Sequence, residues 1–117
     1  MLDHAMDGPA QTAAKCLHRL AELSGRLATR EIVVTYLQVT SSCWELQAQK
    51  GHTAARVVLD GIEGYVTLES SPIRSDGRAN EWKREGAKAI VMDGGDEIFG
   101  FVEDYLKRTL SVTRVLL

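Results

Sequence analysis

The sequence predicts an α+β domain: an N-terminal helix, a four- to five-stranded antiparallel meander sheet and a C-terminal helix, with both helices on one face of the sheet. Three observations predict it. Apolar residues recur with a helical period near each end of the chain, and between those ends they alternate with a period of two. The alternating runs are joined by turns too short for a parallel crossover, which needs a dozen residues or more. The chain has 117 residues, a length that reads as one domain over residues 1–117, large enough to bury a core without staples.

The first helix opens at Asp7-Gly8-Pro9, where proline suits a position whose N–H has no intrahelical partner. Ala13, Cys16, Leu17, Leu20, Ser24 and Leu27 then follow the spacing of one helix face, widened by Leu23. The spacing predicts a helix over Pro9–Ala28, ended or merely weakened at Gly25. From Arg30 the period changes. Ile32 to Val39 is β-branched, aromatic or aliphatic at nearly every position, the pattern of a strand covered on both faces. Trp44, Leu46 and Ala48 alternate with Cys43, Glu45, Gln47 and Gln49, so this strand has one face to the core and one to water. Lys50-Gly51 turns the chain into a third strand through Ala55, Val57 and Leu59. Asp60-Gly61 and Glu63-Gly64 bracket a reversal into a fourth, Tyr65 to Glu69.

Ser70 to Asn80 is the most loop-like stretch, punctuated by Pro72 and Gly77. A further strand is expected from Trp82 and Ala87 to Met92, with a bulge near Gly86. Asp93, Asp96 and Glu97 begin the last helix and Lys107 and Arg108 end it, which suits the helix dipole at both termini. Ile98, Phe101, Val102, Tyr105, Leu106 and Thr109 form its expected buried stripe, with Phe99 and Leu110 at the edge.

Function is less legible. The net charge is −2, so no overall positive field draws the chain to nucleic acid or to anionic lipid. The first residues lack the basic start and apolar run of a signal peptide, and no apolar run approaches the roughly 20 residues that span a bilayer. A cytoplasmic protein with two reduced thiols, Cys16 and Cys43, is the expectation. The histidines and cysteines have no metal-ligand spacing, and no nucleophile stands beside a histidine and a carboxylate. Neither metal nor cofactor is expected.

Gly94-Gly95-Asp96-Glu97 resembles the signature of the diguanylate cyclases. In that family the motif lies on a strand–turn–strand hairpin and an aromatic residue follows. Here Ile98 follows and the period becomes helical, so the string reads as a helix start. In size, acidity and helix–sheet–helix order the chain also resembles the small dimeric chaperones of type III secretion. Those insert a helix after the third strand, whereas residues 60–65 leave room only for a turn.

Arg74, Arg78, Lys83, Arg84 and Lys88 gather around Trp82, interleaved with Asp76, Glu81 and Glu85. Mixed charge of this kind keeps a polar loop and edge strand soluble, and it also offers a partner guanidinium groups beside a ring. At the chain end, Val115, Leu116 and Leu117 form an apolar tail. Arg74, Arg78, Trp82, Arg84, Val115, Leu116 and Leu117 are therefore the candidate partner-binding residues. The expected function is a non-catalytic binding or interaction module, chaperone- or adaptor-like, whose partner is a second copy of itself or another protein. The alternative is a small-molecule-binding protein or enzyme with an apolar pocket between sheet and helices.

Overall fold

The computed structural model describes residues 9–40, 42–89 and 97–110. Two helices flank five strands: α1 (Pro9–Ala28), β1 (Val33–Val39), β2 (Cys43–Lys50), β3 (Thr53–Asp60), β4 (Tyr65–Pro72), β5 (Lys83–Ala89) and α2 (Glu97–Leu110). The strands pair in sequence order, each antiparallel to the next, so the sheet is an open meander with β1 and β5 at its edges. α1 packs on β1 and on α2, and α2 packs on β3 and β2. Both helices therefore lie on one face, as the apolar stripes imply.

Helix α1 runs through Gly25 and is stopped by geometry three residues past its last turn. Glu31 adopts the left-handed conformation with φ 64°. The amides of Arg30 and Ile32 both donate to Leu27 O, at 2.9 and 3.1 Å. This reversal closes the helix C-terminus and drops Ile32 into the core, fully buried.

The core lies between helices and sheet. Leu20, Leu23 and Leu27 come from α1, and Leu46, Val57 and Val66 from the three central strands. Val102 and Leu106 come from α2, and none of these eight has exposed surface. Trp44 stacks on Phe99, with centroids 6.1 Å apart and planes 11° from parallel. The stripe of α2 is rotated from its expected position. Phe99 and Leu110 are buried with Val102, Tyr105 and Leu106, whereas Ile98, Phe101 and Thr109 are only half-buried. The aromatic ring of Phe99 wins the central place because Trp44 is there to receive it.

Strand β1 departs most from expectation. It is an edge strand, with Val33 60% and Tyr36 42% exposed, and not a strand covered on both faces. The physical reason is a bulge. Val34 pairs with Ala48 and Tyr36 with Gln47, so Thr35 is an extra residue whose hydroxyl donates to Gln47 O at 3.3 Å. The slip turns Val34, Leu37 and Val39 towards the helices and Val33 and Tyr36 away from them. An apolar residue is thus needed on each side of the slip, which mimics a doubly apolar strand.

Two further boundaries shift. Strand β4 continues through Ser70 and Ser71 to Pro72, and residues 73–80 form a pinned hairpin. Ile73 bridges Ala79, Arg74 N donates to Arg78 O at 2.7 Å, and Ile73 N donates to His52 O at 2.9 Å. Strand β5 starts at Lys83, with its irregularity at Glu85, next to Gly86. Ile90 to Met92, assigned to this strand from sequence, lie outside the described residues.

Candidate functional site

Among the described residues no helix lies over the face of the sheet away from α1 and α2, and the composition of that face follows from the alternation that builds the core. When Trp44, Leu46 and Ala48 point inward, Glu45, Gln47 and Gln49 point outward. Pairing aligns these outward positions into rows across the strands. One row runs Tyr36, Gln47, Arg56, Glu69, Arg84 from edge to edge. At its centre Arg56 Nε donates to Glu69 Oε1 at 2.6 Å, with side chains 26% and 15% exposed. The Trp82 ring covers the Arg56 guanidinium at 4.6 Å. Glu69 thus sits in a row between two guanidinium groups, and the Arg56 charge is met by a carboxylate and a ring.

One end of this face is closed. Ala54 and Ser71 are 2% exposed although both point away from the helices. The chain entering β5 lies over them: Glu81 N donates to Ser71 Oγ at 2.9 Å, and Gln49 Nε2 reaches Gly77 O at 3.4 Å. The other end is open and holds a hollow of about 290 Å³ lined by Asp60, Glu63, Tyr65, Thr67, Arg84 and Ala87. Asp60 is committed to the turn there, because its Oδ1 accepts from Ile62 N and Glu63 N, each at 3.0 Å. Tyr65 is 52% exposed. The hollow therefore brings a ring, a guanidinium and a carboxylate together at one sheet surface.

The structure divides the basic cluster found in the sequence. Trp82 and Arg84 come together on the open face. Arg74 and Arg78 lie on the 73–80 hairpin by the β2–β3 turn, where Arg74 pairs with Asp76 at 3.2 Å and the Arg78 amide donates to the same carboxylate at 3.0 Å. Val115, Leu116 and Leu117 lie outside the described residues. Neither Arg56 nor Glu69 is among the candidate residues read from the sequence. A signal for the pair existed, since a turn that sets Asp60 against Tyr65 sets Arg56 against Glu69.

Titratable groups displaced from their ordinary values lie on the helical side. Burial raises the Cys16 thiol. Burial, reinforced by the hydrogen bond to Glu85 (2.7 Å), raises the Tyr105 hydroxyl strongly. The Arg26 hydrogen bond holds Glu103 below the ordinary carboxylate value. Each is explained by packing between elements. Among the described residues no group of three or more His, Cys, Asp or Glu side chains could hold a metal ion, and no helix is long and apolar enough to cross a membrane. Comparison with protein families, with curated proteins and with solved structures returns no match.

Proposed function

We propose that the chain is a non-catalytic protein-interaction module, adaptor- or chaperone-like, that works as a homodimer. The observation that carries the reading is the asymmetry of the sheet. One face is filled by two helices, while the other keeps Val33, Tyr36 and Tyr65 between 42% and 60% exposed. Aromatic rings held on a rigid sheet lose little entropy on contact and are enriched, with arginine, where proteins meet. Trp82 and Arg84 belong to this surface and Arg74 and Arg78 to its rim; Val115, Leu116 and Leu117, outside the described residues, enter the proposal from the sequence alone. A cytoplasmic setting is part of the proposal, supported by the free thiols of Cys16 and Cys43.

A second reading has one observation behind it. The hollow beside Tyr65 and Arg84 has the size of a small polar molecule, and it lies on the face away from the helices. Sedimentation equilibrium over a wide concentration range tests the first reading. The expected result is a mass that rises from 12.9 kDa towards twice that value. A monomer at every concentration overturns the homodimer, and native mass spectrometry then asks whether a small molecule is retained.

A further inference from the structure

The homodimer reading names an exposed face for partners but not the edge at which two copies join, and we propose that they join through the β1 edge and the outer flank of α1. The geometry begins with the faces of α1. Leu20, Leu23 and Leu27 point into the core. Arg19, with its guanidinium 5.5 Å from the Phe99 ring centroid, and Arg26, 3.0 Å from Glu103, point towards α2. At 3.6 residues per turn the flank on the opposite side of the core stripe is Ala13, Leu17, Ala21, Ser24 and Ala28. Because α1 packs over β1, and α2 over β2 and β3, that flank faces outward beyond the β1 edge.

The flank and the edge form one uncharged surface. Lys15, Arg19, Glu22 and Arg26 all lie on other sides of α1, and β1 is Val-Val-Thr-Tyr-Leu-Gln-Val. Leu17 stands out on the helix side of this edge, and Val33 and Tyr36 on the opposite side of the sheet, 48%, 60% and 42% exposed. The Ser24 hydroxyl is already used, donating to Leu20 O at 2.8 Å. Among the described residues, the strand has backbone donors and acceptors along a side where no strand pairs with it.

A second copy is the occupant because of charge. A two-fold axis sets each side chain near its own counterpart, so any charge at the axis meets the same sign. Pairing through β5 would gather Lys83, Arg84 and Lys88 against their copies, whereas pairing through β1 gathers no like charges. Antiparallel β1–β1 pairing joins two five-stranded sheets into one and lays the two α1 helices side by side above the seam. Their alanines permit a close approach, and Leu17 of each copy becomes covered. The bulge at Thr35 leaves one position of the new ladder irregular.

The test rests on the homodimer reading but separates from it. Leu17→Glu, Val33→Glu and Tyr36→Arg each place a charge at an exposed position, and Ala89→Glu does the same on β5 as a control. Thermal melts establish that each variant is folded, and with three independent positions one misfolded variant does not end the experiment. The expected result is a wild-type dimer, weakened about tenfold or more by the α1 and β1 variants and unchanged by Ala89→Glu. Its dissociation constant should change by less than about twofold between roughly 0.05 and 0.5 M salt, because an uncharged interface has little for salt to screen. A dimer that ignores all three substitutions, or that follows Ala89→Glu instead, overturns this interface and leaves the homodimer standing. A monomeric wild-type chain overturns both.

Discussion

β5 carries Lys83, Arg84, Glu85 and Lys88 along seven residues at one edge of the sheet, whereas β1 at the other edge carries no charged side chain at all. Both are seven-residue edge strands of the same meander and both contain an irregularity, so the contrast is one of side chains. Charge on an exposed edge discourages a foreign strand from pairing with it. β5 is protected in this way and tied back by its own charges, since Glu85 accepts from the Tyr105 hydroxyl at 2.7 Å and Lys88 lies 5.3 Å from the Phe101 ring centroid. Among the described residues β1 has neither charge nor such ties, and a helix with an uncharged outer flank lies over it. The comparison teaches that an edge is read by what would repel its own copy.

The largest expected effect comes from removing what holds α1 above β1. Leu20→Asp puts an unpaired charge where there is no exposed surface. The cost is several kcal/mol, against total stabilities of about 5–15 kcal/mol. Loss of the cooperative thermal transition, followed by circular dichroism, is the expected outcome, and an unchanged melting temperature would break the packing scheme.

A smaller effect should come from untying β5. Tyr105→Phe keeps the ring, which is 5% exposed, and deletes the hydroxyl that meets Glu85. Chemical denaturation should show a loss of about 1 kcal/mol, and hydrogen exchange should accelerate in β5 while β1 stays as it was. Equal acceleration at both edges would mean that the contact is not local to β5.

The smallest concerns the clasp between the helices, where Glu103 meets Arg26 at 3.0 Å and Lys107 at 3.1 Å. Arg26 lowers the Glu103 carboxyl in the folded chain from its ordinary value of 4.5. Its contribution is therefore present above that value and lost as pH falls through the lowered one. Exposed partners screen such pairs well. Glu103→Gln should flatten the dependence of melting temperature on pH below about 4.5 and leave the neutral value nearly unchanged. A variant curve parallel to wild type would remove Glu103 from the account.

Much of the fold was legible because it rests on periods. The helical stripe of α1 and the clean alternation of β2 each follow from one spacing rule applied without interruption. The readings that failed lie where a local event shifts the phase. At Thr35 one inserted residue rotates half a strand, and no single side chain announces it. Along α2 a wide apolar stripe admits two centres, and only the partner ring of Trp44 selects Phe99. The candidate site was half legible. Trp82 and Arg84 lie two residues apart in sequence and on the same face of the sheet, so a local cluster could reveal them. Their separation from Arg74 and Arg78 depends on a hairpin held by backbone hydrogen bonds, which carry no side-chain signature. Arg56 and Glu69 are far apart in sequence and meet only through register.

The two tryptophans have a practical consequence. Trp44 is 4% exposed against Phe99 in the core, whereas Trp82 rests on a guanidinium at the half-covered face of the sheet. The chain contains two tryptophans in all, so its ultraviolet emission is a sum of one signal that follows unfolding and one that follows events on the open face. Replacing either by phenylalanine would separate the two. The remaining fluorophore then reports, without any label, whether a ligand touches the outer surface while the interior stays intact.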